Sequence, residues 1–263
     1  AAQLEGTTVE LMKMGEPGVP ELNAYIEEVL KEGETLGFDG RVVSVGEGEG
    51  YAAIAGKKNA KVNYQVDLID EIWEDRPVLS AEPAFNLDVK YAGETVASKL
   101  ARIREEMKEA GTNVHVVSTI DDICWTLNIR GNDIDFFPLV LSYGIITMDS
   151  FELYIDERKL DDKLKAKLAK DGVNLHPYND IYEDVKKFGS DVVAMIDPGK
   201  LNYALFNNIP ENVKTVEKRN PAILMKAIKN PVEIENIRKA QIKDSVAHVR
   251  FMKWLKENVG KET

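Results

Sequence analysis

The sequence predicts an α/β protein of two units, and three observations lead there. Stretches with a helical period alternate with short apolar strands along most of the chain. A proline-punctuated stretch without sustained period, with Pro77 and Pro83, separates an early part from a more regular later one. The 263 residues are enough for one large domain or for two of ordinary size, each with its own core.

In order along the chain, GVPELNAYIEEVLKEG (18–33) reads as a helix after Pro20, and LGFDGRVVSV (36–45) as a turn and a strand. VGEGEGYAAIAGKK (45–58) invites a phosphate-loop reading, but the spacing fails. Five residues separate Gly50 from Gly56, Lys58 stands where a Ser or Thr should bind magnesium, and Glu47 and Glu49 would repel a phosphate. A flexible turn is expected there, followed by a loop-rich linker to about Gly93.

From Thr95 the signals sharpen. Val96, Leu100, Ile103 and Met107 step by four, three and four, the stripe of a helix that Gly111 ends. VHVVS (114–118) is a buried strand, and IDDICW opens a short helix whose acids suit the positive end of its dipole. Residues 138–147 and 151–156 read as a hairpin. Helices at 157–170, 178–188 and 200–207 then alternate with strands at 173–175, 192–197 and 213–217. AYIEEVLKEGETLGFDGR and DIYEDVKKFGSDVVAMIDPGK share a helix–Gly–strand order, a weak internal echo. The last stretch opens on Asn230, Pro231 and Glu233, a capped helix start. It carries an apolar stripe through Ile234, Ile237, Ile242, Val246, Val249, Met252 and Leu255. Such a helix either packs back on what precedes it or belongs to something larger.

Composition narrows the function classes. A net charge of −11, with Lys and Arg interleaved among acids, argues against nucleic acid and anionic membranes. No apolar run approaches the ~20 residues of a membrane span. AAQLEGTTVE lacks the charged and apolar regions of a signal peptide. The single cysteine, Cys124, fits a reducing cytosol and, within IDDICW, a buried thiol.

Chemistry-bearing patterns are sparse. His115, His176 and His248 fall in a strand, a loop and a helix, with no metal-ligand spacing and no GxSxG elbow. Asp121–Asp122, Asp133 with Asp135, and Asp161–Asp162 are acidic pairs, but a hard cation needs several convergent oxygens. The most unusual segment is NIRGNDIDFFPLVLSYG (128–144). There Arg130 either points its guanidinium from a turn into a cleft, to take a carboxylate bidentately, or pairs with Asp133 or Asp135 to pin the turn.

Taken together, several of these stretches have a family resemblance. MGEPGVP, GFDGRVVS, DLIDEIWEDRP, KYAGE, TIDDICWTLNIRGNDI with FFPLVLSYGIIT, DPGKLNYAL, and NPAILMKAIKNPVEIENIRKAQIKD occur in family order over nearly the whole chain. In this the sequence resembles the front part of the three-domain cytosolic Xaa-Pro aminopeptidases, members of the creatinase/prolidase-like metallopeptidases. One departure is Gln241, where the family pattern leads us to expect a histidine.

The resemblance implies two creatinase-N-terminal-type α/β domains with mixed sheets flanked by helices. Residues 1–93 would be the first, partial and with its linker, and 94–219 the second. Residues 220–263 would open a pita-bread catalytic domain truncated after its first helix. A first strand and an aromatic-rich segment expected before AAQLEG would be missing. The two divalent metal ions of such enzymes, manganese by family habit, would lie in the absent catalytic domain, leaving neither metal nor cofactor sites in this chain. Alone, the chain is then expected to be inactive. Its domains would wall the entrance, restrict access to short peptides with proline at the second position, and support a homodimer. Its partners would be its own catalytic domain and those peptides, in the cytoplasm. Arg130, Asp133 and Tyr143 become the substrate-side candidates. The alternative is a stand-alone interaction module derived from the same domains, which should bury or polarise the terminal helix's apolar face. An enzyme using its own carboxylates is the third reading.

Overall fold

A computed structural model describes residue 4 and residues 6–261; residues 1–3, 5, 262 and 263, which the domain assignments at both ends include, lie outside it. The chain divides into two units, residues 1–78 with 198–210, and residues 79–197 with 211–263. Residues 79–93 thus associate with the second unit rather than with what precedes them, and a short later segment returns to the first.

In the first unit, α1 (Leu22–Val29), β1 (Thr35–Gly37), α2 (Val45–Lys57) and β2 (Lys61–Asn63) surround a small core of Leu30, Ile54 and Ala55. β1 and β2 pair in parallel, Thr35 opposite Lys61. The glycine-rich stretch read as a flexible turn is α2, and this is a correction with a clear cause. Ser44 and Glu47 form a capping box: the Ser44 Oγ accepts from the Glu47 N–H at 3.3 Å, and the Ser44 N–H donates to Glu47 Oε2 at 3.1 Å. Packing then outweighs the low helix propensity of glycine. A Cβ at Gly48 would lie 2.2 Å from the Tyr203 ring, so only glycine lets the helix approach that side chain. The turn and strand expected over 36–45 come in the reverse order, because the strand is β1, which ends at Gly37, and turns lead from it to Ser44.

In the second unit the elements run β3 (Phe85–Asn86), α3 (Val89–Ala92), α4 (Val96–Glu109), β4 (Val114–Val117), α5 (Ile120–Leu127), β5 (Ile129–Arg130), β6 (Ser142–Thr147), β7 (Phe151–Ile155), α6 (Asp162–Lys170), β8 (Val173–His176), α7 (Ile181–Asp184) and β9 (Val193–Ile196). After α8 (Tyr203–Phe206), which lies in the first unit, come β10 (Lys214–Glu217), α9 (Pro221–Ala227) and α10 (Pro231–Asn258). Six strands form one sheet in the order β10-β9-β4-β6-β7-β8. It is mixed: β4–β6 and β6–β7 are antiparallel, whereas β10–β9, β4–β9 and β7–β8 are parallel. The hairpin read from sequence is β6–β7. Gly144 within it is required by Phe151, whose ring would lie 2.6 Å from an added Cβ.

The stripe of α4 is buried as its period predicts, with Leu100, Ile103 and Met107 at most 1% exposed against Ile123, Leu127, Ile146 and Leu153. Cys124 is buried in the same core, and burial pushes its thiol pKa up to about 11. α10 contrasts with α4. It is 28 residues long, with the expected Asn230–Glu233 capping box and Pro231 in its first turn, and it buries no residue. Among the described residues no helix is long and apolar enough to cross a membrane.

Candidate functional site around helix α5

Three polar clusters of the second unit surround α5 and the loop that follows it. At the start of α5, Asp121 and Asp122 occupy the first turn, but the dipole is only part of their role. Lys226 of α9 bonds both carboxylates, at 2.6 Å to Asp122 Oδ1, and the Asp122 side chain is 2% exposed. Asp122 Oδ2 also accepts from the Thr119 hydroxyl at 2.6 Å and from Asn220 Nδ2 at 2.9 Å. Burial opposes the charge of Lys226, and its bonds to Asp121 and Asp122 outweigh that, so its pKa lies above the usual lysine value. His115, fully buried beneath, sets Nδ1 3.0 Å from the Met195 carbonyl and Nε2 3.3 Å from Asn220 Oδ1.

At the other end of α5, two cations end on carbonyls instead of carboxylates. Lys99 is 1% exposed, and its Nζ donates to the Trp125 carbonyl and to Asn128 Oδ1, both at 2.7 Å, lying 4.3 Å from the centre of the Trp125 ring. Burial pushes its pKa down to about 8. Arg130 donates from Nη1 to the carbonyls of Cys124 and Ile129, both at 2.8 Å. Its Nε and Nη2 take no partner among the described residues, so one edge of the guanidinium fork is free. Burial lowers its pKa as well.

The loop after β5 is pinned through Asp133, but not by Arg130. Asp133 Oδ2 accepts from the Leu141 N–H at 2.7 Å and from Lys159 Nζ at 2.5 Å, with both side chains of the ion pair buried. Asp133 Oδ1 is buried without a partner. The Tyr143 hydroxyl stands 3.1 Å from that of Tyr182, and its ring packs on Tyr178 with centroids 5.0 Å apart. Burial raises its pKa far above the ordinary phenol range. Arg130, Asp133 and Tyr143 are therefore neighbours in sequence that no hydrogen bond or ion pair joins.

Lys99, Lys159, Lys226 and Asn220 were not singled out by the sequence reading. Lys99 had a signal, because it stands three residues after Val96 and four before Ile103, inside the apolar stripe. The partners of Lys226 are about a hundred residues away, and no local pattern announces them. Among the described residues no three His, Cys, Asp or Glu side chains converge as metal ligands. The arrangement can take an anion, because a half-used guanidinium precedes a loop held through Asp133.

Comparison with known proteins adds a second line. The family model for the creatinase/prolidase N-terminal domain matches residues 75–233. A probable Xaa-Pro aminopeptidase P of Sordaria macrospora is 33% identical over 95% of this chain and 42% of its own length. Aminopeptidase P2 of Arabidopsis thaliana is 31% identical, with 95% and 40% covered. Among solved structures, the X-prolyl aminopeptidase of Caenorhabditis elegans, described as a cytosolic enzyme with a di-nuclear active site, superposes with a TM-score of 0.89 at 30% identity. That match covers 95% of this chain and 42% of the nematode enzyme. The chain thus spans about two fifths of the length of the relatives it matches.

Proposed function

This chain belongs to the creatinase/prolidase N-terminal domain family, and from that premise we propose that it is the substrate-restricting front part of a cytosolic Xaa-Pro aminopeptidase. The observation that carries the reading is the bare stripe of α10. Ile242 is 67% exposed and Val249 66%, a surface that a self-contained interaction module would bury or make polar. In the parent protein a downstream catalytic domain covers this face. Metal ions held there, manganese in our reading, would supply Lewis-acid activation of water.

In this reading the chain's own residues select the substrate. The free edge of Arg130 takes the C-terminal carboxylate of a short peptide, with two parallel N–H···O bonds possible only to a planar anion. Its other edge is anchored to the Cys124 and Ile129 carbonyls, so the fork needs no reordering to bind. Asp133 acts by fixing the loop, and Tyr143 through its hydroxyl, set beside that of Tyr182. Residues 1–93, 94–219 and 220–263 remain our assignment to the two front domains and the opening of the catalytic one, and a homodimer is part of the same proposal.

The test is release of the N-terminal residue from an Xaa-Pro-Pro peptide with added Mn²⁺, run on this chain and on a polypeptide extended through the downstream region. Activity in the extended polypeptide alone is the expected result. Metal-dependent activity in the 263 residues by themselves would overturn the reading. In the extended form, Arg130→Ala should raise KM for a tripeptide with a free carboxylate, and amidation of that carboxylate should erase the difference.

A further inference from the structure

The loop between Arg130 and Val140 has a feature that its pinned base does not explain. Ile134 and Phe137 close a tight turn, with the Phe137 N–H donating to the Ile134 carbonyl at 3.1 Å. At its tip Phe136 has φ +62 and is completely exposed. A bulky residue in the left-handed region is an outlier, and strain of this kind persists only where the surroundings impose it. Here they do. The Asp133 N–H donates to the Leu139 carbonyl at 3.3 Å, the buried Lys159–Asp133 pair fixes the near side, and Pro138 restricts the far side. Gly131 lets the base close, since an added Cβ would sit 2.7 Å from Val140 Cγ2. Stability alone favours Gly or Asn at the tip, and a buried place for an aromatic ring. The loop has neither, while Phe137 at 55% and Ile134 at 40% exposed extend the apolar tip.

We propose that Phe136 is a specificity-determining residue, receiving the apolar side chain of the third residue of an Xaa-Pro-Xaa tripeptide. The inference rests on the reading of Arg130 given above. A carboxylate seated on Arg130 belongs to that third residue, and Arg130 and Phe136 stand six positions apart, at the base and the tip of one loop. An aromatic or large aliphatic side chain there gains a ring contact, a glycine gains none, and an acidic one meets the exposed Asp135.

The experiment compares Ala-Pro-Phe with Ala-Pro-Gly in the extended polypeptide, wild type and Phe136→Gly. Wild type should favour Ala-Pro-Phe, and Phe136→Gly should lower its kcat/KM by about tenfold, the worth of an aromatic pair with the area it buries, leaving Ala-Pro-Gly unchanged. The same selectivity should be lost in binding of the two peptides to the metal-free protein, measured by calorimetry. The midpoint of thermal unfolding should rise, because glycine accepts the backbone that phenylalanine resists. Cleavage of both peptides with an unaltered ratio in Phe136→Gly, or an equal fall for both, overturns this inference and leaves the proposed function standing. If the wild type cleaves neither, both are overturned.

Discussion

Helices α4 and α10 obey the same rules of sequence and differ in what those rules achieve. Each starts with a side-chain cap, Thr95 on the Ser98 N–H and Asn230 on the Glu233 N–H, and each carries apolar residues three and four apart. α4 buries its stripe completely, and α10 buries none of its own. Periodicity therefore identifies a face and says nothing of what covers it. The exposed stripe of α10 runs from Ile234 to Val259 with no gap longer than a turn and a half, which scattered surface apolar residues would not produce.

The sharpest way to break this comparison is to truncate equivalent side chains. Ile103→Ala in α4 should cost about 2–5 kcal/mol, since the lost transfer energy adds to a cavity in a filled core. Ile242→Ala in α10 should stay within about 0.5 kcal/mol. Denaturant unfolding of the two variants measures both. A large loss at Ile242 would mean that the stripe is already covered in solution, by self-association if the loss grows with concentration.

A second contrast lies inside α4, where Lys99 interrupts the buried stripe. The folded state holds its pKa at about 8, against 10.5 for a free lysine. Below pH 8 both folded and unfolded chains carry the proton, and the folded state bears the full cost of a buried charge. Between pH 8 and about 10.5 the unfolded chain binds more protons, so stability should rise with pH, by at most ~3 kcal/mol. Above that range Lys99 is neutral in both states and the cost is gone. A neutral amine keeps two N–H donors, matching its two carbonyl acceptors. Lys99→Met should remove this slope, and the difference between variant and wild type isolates it from other titrations. A slope unchanged in the variant would assign the effect elsewhere.

What the sequence made legible follows from the range of the interactions involved. The buried stripe of α4, the β6–β7 hairpin, the cap of α10 and the burial of Cys124 all depend on near neighbours, and all were readable. α2 was announced locally only by the Ser44–Glu47 capping box, and its glycine-rich body depends on a fit between Gly48 and Tyr203, 155 positions later. The candidate site divides in the same way. Arg130 and Asp133 stood out in NIRGND, but the partner of Asp133 is Lys159, and the cluster at the start of α5 depends on Lys226. Lys99 was readable in principle, as a cation on an apolar face. Phe136 was not singled out, since a sequence does not display its φ.

The smallest effect is also the most specific to α10, because it tests how the helix is seated rather than what covers it. Gly93 and Gly111 flank α4 and share the left-handed region, φ +71 and +68. Replacing either with alanine should cost roughly 1 kcal/mol for the backbone alone. At Gly111 nothing lies within 4 Å of the added Cβ, so the cost should end there. At Gly93 the Cβ would lie 2.2 Å from Asn230 Oδ1, the atom that caps α10, while Asn230 Nδ2 donates to the Ala92 carbonyl at 2.8 Å. Moving Asn230 aside gives up a cap and a hydrogen bond, each worth about 1 kcal/mol. Gly93→Ala should therefore exceed Gly111→Ala by about 1–2 kcal/mol, with amide exchange quickened in the first turn of α10 and unaltered in α4. Equal costs would mean that Asn230 yields freely and that α10 is held only where something else covers its stripe.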